Sequence, residues 1–517
     1  MYLTKLHRIK RTFGVSMLLA ATFFCQSCNS FLDVDVRHAA SENQQWQTFE
    51  DTRAALMGVY GLMRSALAEN NSYWAYGELR MGDFTVYNSN DLKAVVNNEL
   101  RNPQTYLEEL SDWRRFYAVI NAASVFIEKA PQTVELDKAY SEANLKYDIA
   151  QVRLLRAFSY FYMVRIWGDV PLLTQSYDNG LFKEFPRTDA QTVLNYAKEE
   201  ILDAIVDLPF EYGTETSKYY NQVANYWRGL LLNKLSAYTI LAHISAWEGN
   251  YSNAATYAGY VISHASNMKA DYIDVKDLTS PQGLFSMETK FNGYKIVSFN
   301  FPYEHFEATQ NGHIEQLTLA APFVQKSYPE IYVSKDSLFS IFDDLADTRF
   351  GINASANDKY YTNYINDLNA EIPLFTKIKV VQDGKGEDSD YAVFGSSIIF
   401  SRLEEITLLR AEALAALNRG TEAIADYNTV RSNRGLPLRT FKYFEADCHK
   451  LLAAIFDERR KELMGEGWRW FDLIRRERLL NDNPVMRELI EREGIYWPIA
   501  SEVLSANKSL TQNKYWE

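Results

Sequence analysis

The chain has 517 residues, 47 % of them hydrophobic and 14 % aromatic, enough for a large core and too long for one minimal domain. It carries 54 basic against 67 acidic groups, a net charge of −13, and such a balance argues against nucleic acid, whose phosphates demand basic patches. Tyr (34), Phe (29) and Trp (10) are plentiful enough to predict exposed rings as well as core filler.

Residues 1–27 read as a secretory signal peptide. Lys5, Arg8, Lys10 and Arg11 form a basic start with no acidic residue, and Val15–Cys25 is an apolar run of eleven residues, too short for a span of about 20. Ser27 and Cys28 follow. A Cys just after the cleavage point resembles a bacterial lipoprotein site, in which the thiol is acylated and becomes the new N-terminus. Cys25 stands where that site usually has an aliphatic residue, and the alternative is an ordinary cleaved signal near the same place. Cleavage would leave 50 basic against 67 acidic groups, a net of −17. Cys25 leaves with the signal and Cys28 carries lipid, so Cys448 has no partner and no disulfide framework is expected. The C-x-x-C of Cys25 and Cys28 straddles the cleavage point, which removes a redox reading. No second apolar run of about 18 residues follows, which predicts a soluble body.

Residues 28–45 are polar and aperiodic, as a lipidated tether would be, and 46–517 form the body. Its 46–267 part is helical. The first helix is predicted over Phe49–Leu67. Lys146–Trp167 is apolar almost all round and belongs in a core, with Gly168 and Pro171 as its stop. Thr188 and Gln191 have capping-box spacing ahead of the stripe Val193, Ala197, Ile201, Ala204, Ile205 and Leu208, which Pro209 ends. Two stretches pattern as tetratricopeptide-like helical hairpins. One runs through Tyr238, Leu241 and Ala242, then Gly249, to Ala254 and Ala258. The other runs through Leu409 and Ala413, then Gly420, to Ala425. Neither hairpin buries its face alone, so they should stack.

Residues 268–400 differ: Pro, Gly, Asn and Tyr are common and helical periodicity fades. They read as a large irregular, loop-rich insertion with short strands at Ile296–Asn300 and Lys377–Val381. Asp383–Asp390 is acidic but lacks EF-hand spacing, so it is read as a solvated loop, and no metal or cofactor is expected. Residues 401–517 return to helix. The expected fold class is therefore mainly α.

Several segments resemble the SusD/RagB outer-membrane nutrient-binding lipoproteins of the Bacteroidetes. These are Cys28-Asn-Ser-Phe-Leu-Asp33; Arg153–Phe158 running to Trp167-Gly-Asp-Val-Pro171; Arg410-Ala-Glu-Ala413 with Asn428–Arg431 and Arg434–Pro437; Glu458–Leu463 through Gly467, Arg469 and Trp470–Leu473; and Pro498-Ile499 with Leu510–Asn513. Together they touch both ends and the middle of the mature chain. Their charges and rings suit scaffold roles, with Arg153, Arg156 and Arg165 expected to pair with acids and cap carbonyls.

The resemblance implies a SusD-like fold and a lipid-anchored protein on the outer-membrane surface. It would capture oligosaccharides, or in some members peptides, and hand them to a SusC-like TonB-dependent transporter without catalysing a reaction. The residues agree on the last point: there is no H-E-x-x-H, G-x-S-x-G or Walker A, and the seven His are scattered. A secreted hydrolase is the reading from another class, because carboxylates are many. A sugar site needs exposed rings for the C–H faces of pyranoses and planar polar groups for their hydroxyls. Two stretches offer the mixture. The first, after the first helix, gives Trp74, Tyr76, Arg80, Asp83 and Asn88; the Arg–Asp pair is one that the resemblance places in the ligand region. The second, within Phe291–His305, gives Tyr294, Tyr303 and His305.

Overall fold

The computed structural model describes residues 45–101, 103–177, 183–344, 346–350, 364–366, 368, 370–384 and 392–517. The leader, Cys28 and the tether up to residue 44 lie outside the described residues, as do residues 385–390 of the acidic loop.

Helix α1 (Phe49–Ala68) starts at a capping box. Thr48 Oγ1 accepts from Asp51 N (3.2 Å), and the Asp51 carboxylate accepts from Thr48 N (2.8 Å). The other long helices are α2 (Arg114–Lys129), α3 (Glu142–Trp167), α4 (Ala190–Ala204), α5 (Lys234–Trp247), α6 (Tyr251–His264), α7 (Leu403–Ala416), α8 (Gly420–Ser432), α9 (Cys448–Glu462) and α10 (Arg469–Leu480). As its composition predicts, α3 is central: every residue from Leu154 to Trp167 is buried, and α1, α2 and α4 pack around it. Its arginines find the partners expected of them in two cases of three. Arg153 pairs with Asp203 and Arg156 with Glu200. Arg165 instead lies among the rings of Phe161, Tyr162, Phe400, Trp468 and Phe471, 4.0–5.6 Å from their centroids, and no carboxylate of the described residues pairs with it. Cation–π attraction replaces the ion pair there.

Helix α4 is capped by Asp189, whose Oδ1 accepts from Thr192 N (2.9 Å), one residue later than the Thr188–Gln191 spacing suggests. Both predicted hairpins are present, α5–α6 and α7–α8, and α6 packs on α7, so they stack. Gly420 does not close the second turn, because Asn418 takes the left-handed conformation (φ 61°). Gly420 is needed for space: a Cβ there would lie 2.2 Å from the Phe441 ring.

Among the described residues the strands are short: β1 (Thr85–Val86), β2 (Lys295–Phe299), β3 (Ile331–Tyr332), β4 (Ile365–Asn366), β5 (Leu374–Phe375), β6 (Val381–Asp383), β7 (Val393–Phe394) and β8 (Ile398–Arg402). They form four antiparallel pairs, β1–β3, β2–β8, β4–β5 and β6–β7. The strand expected over Lys377–Val381 begins only at Val381. Lys377 turns inward instead, where its Nζ reaches Glu466 (2.5 Å) and the carbonyls of Glu462 (2.8 Å) and Met464 (2.9 Å). Pair β2–β8 is buried on both faces, with Phe299 and Phe400 against Phe158 of α3, so the irregular segment shares one core with the helices. No helix among the described residues is long and apolar enough to cross a membrane.

Lys295 on β2 is fully buried, and its Nζ donates to neutral acceptors: Ser286 O (2.6 Å), Ser397 Oγ (3.0 Å) and Asn300 Oδ1 (3.2 Å). Burial pushes its pKa down to about 7. Above the unfolded value of about 10.4 the group is neutral in both states and costs nothing. As the pH falls from there to 7 the unfolded chain takes up the proton first, so the buried amine becomes a progressively larger cost to folding. Lys295→Met is therefore expected to gain stability relative to wild type between pH 10 and pH 7, by at most about 1.4 kcal/mol per pH unit. Guanidinium unfolding at the two ends of this window checks it; a difference independent of pH contradicts the shift.

Candidate functional site

The first predicted stretch folds back on the end of α1. Asn70 and Asn71 both take left-handed conformations (φ 58° and 52°), and Ser72 Oγ donates to the Ala66 and Leu67 carbonyls at 2.8 and 2.9 Å. Residues Ser72–Leu79 then run as short helical turns against the Leu463–Trp468 loop between α9 and α10. Gly77 permits the contact: a Cβ there would lie 2.0 Å from Gly467 O. The neighbouring side chains are consumed by the same docking. Trp74 is 2 % exposed and donates Nε1–H to Gly465 O (3.0 Å). Tyr76 is fully buried, edge-on to Trp167 and Trp497, and its hydroxyl donates to Leu110 O (2.5 Å). Glu78 accepts from the Gly465 and Gly467 amides at 2.8 and 2.9 Å, and burial raises its pKa to about 7. Arg80 is fully buried 4.1 Å over the Trp470 ring; it donates to Ile495 O (2.6 Å), Gly494 O and Asn98 Oδ1 (2.8 Å), and burial lowers its pKa to about 9. Asp83 is clamped by Arg460 (2.5 Å) and Arg469 (3.2 Å). Trp74, Tyr76 and Arg80 are thus withdrawn as ligand contacts, because a ring or fork with no open face cannot stack on or grip a sugar, and Asp83 is withdrawn because Arg460 and Arg469 occupy both its oxygens.

Asn88 is exposed and stands beside a feature the sequence did not reveal. Tyr87 stacks on Tyr328, ring centroids 4.9 Å apart at 29°, and both rings stay open, 42 % and 53 % exposed. The β1–β3 pairing brings them together, with Tyr87 N donating to Glu330 O (2.8 Å).

A cavity of about 510 Å³ lies between the end of α1 and the segment 301–312. Gly61, Arg64, Ser65, Ala68, Glu69 and Asn70 form one wall, and Phe301, Glu307, Thr309, Asn311 and Gly312 the other. Arg64 and Glu307 join across it in a close ion pair. Burial lowers the Arg64 pKa, and Glu307 opposes that shift. Gly312 (φ 91°) lets the walls close, since a Cβ there would lie 2.6 Å from Ala68 O. Of the second predicted stretch, Tyr303 (42 % exposed) and His305 are exposed beside this cavity, with Phe306 wholly open next to them, while Tyr294 is half-buried against Phe291. Gln316 ties the cavity to the tyrosine pair. Its Oε1 accepts from Gly312 N (3.0 Å) and Asn71 Nδ2 (3.2 Å), its backbone O accepts from Lys326 Nζ (2.8 Å), and Lys326 pairs with Glu330 (2.8 Å). Sequence reasoning missed Arg64, Glu307, Phe306 and Tyr328; only Phe306 and Glu307, contiguous with His305, carried a signal.

A family model described as the SusD family matches residues 353–516. The crystal structure of a SusD superfamily protein from Bacteroides thetaiotaomicron is 59 % identical, aligns over 92 % of this chain and 100 % of its own, and superposes with a TM-score of 0.86. The chain belongs to the SusD superfamily. SusD-like protein P38 of Formosa agariphila is 26 % identical over 96 % of this chain and 97 % of its own. A laminarin-binding SusD-like protein shares the fold at 21 % identity, over 90 % of this chain and 99 % of its own, with a TM-score of 0.66.

Within this SusD fold Glu412, Arg434, Arg459, Glu462 and Asp472, which carried part of the resemblance, are scaffold. Glu462 at the end of α9 meets Arg434 (2.7 Å), Arg402 (2.9 Å) and Arg349 (3.0 Å), all fully buried. Arg459 bridges Glu405 (3.0 Å) and Asp472 (2.9 Å), and Arg475 holds Glu412 (2.8 Å) and Asp472 (2.7 Å). A second cavity, of about 850 Å³, separates the Thr105–Leu110 helix from the C-terminal segment. Two pairs cross it (Arg114 with Glu502, Ser501 with Glu108), and its one indole, Trp516, is 6 % exposed. No open ring lines it.

Proposed function

We propose that the protein is a cell-surface lipoprotein, acylated at Cys28, that captures oligosaccharides at the cavity beside Arg64 and Glu307. It would pass them, chemically unchanged, to a SusC-like TonB-dependent transporter in the outer membrane. The observation that carries the reading is the open Tyr87–Tyr328 stack joined through Gln316, Lys326 and Glu330 to a polar cleft. Membership of the SusD superfamily and the laminarin-binding relative support glycan as the cargo. The basic–apolar leader ending at Cys28 supports the anchor.

In this reading Tyr87, Tyr328 and Tyr303 offer ring faces to pyranose C–H edges. Asn88 and Asn311 offer amides to hydroxyls. Such a shallow site gives millimolar to micromolar affinity, about 4–8 kcal/mol. Tyr87→Ala and Tyr328→Ala, each on the surface, are expected to fold normally and to weaken glycan binding about five- to tenfold, the value of one lost ring contact. Affinity electrophoresis and calorimetry with neutral glycans, laminarin first, check this. Unchanged binding in both variants and in Tyr303→Ala overturns the site, and retention of peptides in place of glycans overturns the cargo. Release of reducing ends would replace binding with hydrolysis.

A further inference from the structure

The composition leaves open whether a local basic cleft overrides the acidic surface and draws in anionic glycans. The cavity answers in its own charges. Arg64 is the single basic residue among its described lining residues, and it is already matched by Glu307. Glu69 adds a second carboxylate, which no cation of the described residues pairs. Just outside, Arg115 donates to the Glu69 and Glu109 carbonyl oxygens, and the Glu109 carboxylate accepts from Asn70 Nδ2 at 3.0 Å. Farther along the cleft Lys326 is matched by Glu330. Arg64 and Lys326 each have a carboxylate beside them, Arg115 is spent on carbonyl oxygens, and the four carboxylates Glu69, Glu109, Glu307 and Glu330 outnumber these three cations. The groups left for a ligand are the free valences of Asn70 and Asn311, the outer oxygen of Glu307 and the open tyrosine rings, a set that suits hydroxyls and C–H faces.

The geometry points to a site that selects uncharged oligosaccharides and rejects uronate-rich or sulfated ones, with the Arg64–Glu307 pair as the specificity determinant. This rests on the glycan-binding reading above. An anionic sugar placed against Arg64 would have to displace Glu307 and would then face two carboxylates. A neutral sugar leaves the pair intact and takes hydrogen bonds from its outer edge. Because the ion pair is partly exposed, the discrimination is modest and falls with salt.

The test uses the chain begun after Cys28 and calorimetry with laminari- and malto-oligosaccharides against oligogalacturonates and heparin fragments, at low and at physiological salt. Wild type is expected to bind at least one neutral glycan and to bind the anionic set at least about tenfold more weakly, with the gap widest at low salt. Glu307→Gln keeps the shape, frees the Arg64 charge and is expected to narrow the gap by about tenfold; thermal unfolding confirms that the variant is folded. Anionic glycans bound as well as neutral ones, more tightly at low salt and lost in Arg64→Ala, would overturn the inference while leaving glycan binding in place. Retention of peptides and of no glycan would overturn the reading beneath it and the inference with it.

Discussion

Glu462→Ala is expected to cost about 3–5 kcal/mol of folding stability. The carboxylate is fully buried and faces three guanidiniums, Arg349, Arg402 and Arg434, at 2.7–3.0 Å. Burial alone would raise its pKa, but the Arg434 and Arg402 charges outweigh that and hold it well below the ordinary carboxylate value. Removing it strands positive charge that neighbours satisfy only in part. Arg349 keeps Asp347 (2.6 Å) and Glu458 (2.7 Å), Arg402 keeps Glu404 (2.9 Å) and Glu466 (2.8 Å), and Arg434 keeps Glu404 (3.2 Å). The sign with pH follows from the lowered value. The contribution is complete above the unfolded pKa of about 4.3 and is lost as the pH falls below it toward the folded value. Denaturant melts at pH 7 and pH 3.5 should therefore show the variant closer to wild type in acid. The exposed Arg114–Glu502 pair is the control, where Glu502→Ala should cost less than about 1 kcal/mol. A loss under 1 kcal/mol at pH 7 for Glu462→Ala would mean that the remaining carboxylates suffice.

The same network shows where the sequence was legible. Helix α3 declares its burial by apolar residues on every side, and the hairpins declare theirs by small residues spaced around a turn. Those signals are local. The alternation of charge and ring from Glu458 to Leu473 likewise reads as docking, and so it docks. Two-residue strands have no period to read, so β1–β3 could not be seen, and with it went the Tyr87–Tyr328 stack. The rings of the first predicted stretch were lost for a related reason. Tyr73–Tyr76 and Tyr303–His305 have similar ring density, and only long-range packing separates them. Gly77 lies flush against Gly467 and draws the first set inward. Nothing comparable covers Tyr303 and Phe306. Arg64 stayed hidden because, read alone, it is an ordinary charged residue on a helix.

Trp74→Ala separates packing from binding most sharply. Its indole is buried where Ser72–Leu79 meets the α9–α10 loop. It packs edge-on to Tyr73 (5.5 Å) and near His313 (6.5 Å), and Nε1–H satisfies the Gly465 carbonyl. Truncation removes that apolar contact, leaves a void and orphans a buried acceptor, so it is expected to cost about 3–5 kcal/mol. The loss belongs to the fold. Among molecules that remain folded, calorimetry should find glycan affinity close to wild type, because no face of this ring reaches the cavity surface. Tyr87→Ala is the reciprocal case, with stability nearly unchanged and affinity reduced. The two variants thus form a crossed design in which each measurement has its own positive control. Should Trp74→Ala melt like wild type yet lose glycan retention, the indole would have to be solvent-facing in the working protein. The docking of Ser72–Leu79 onto Gly465–Gly467 would then be one of two arrangements that this segment adopts.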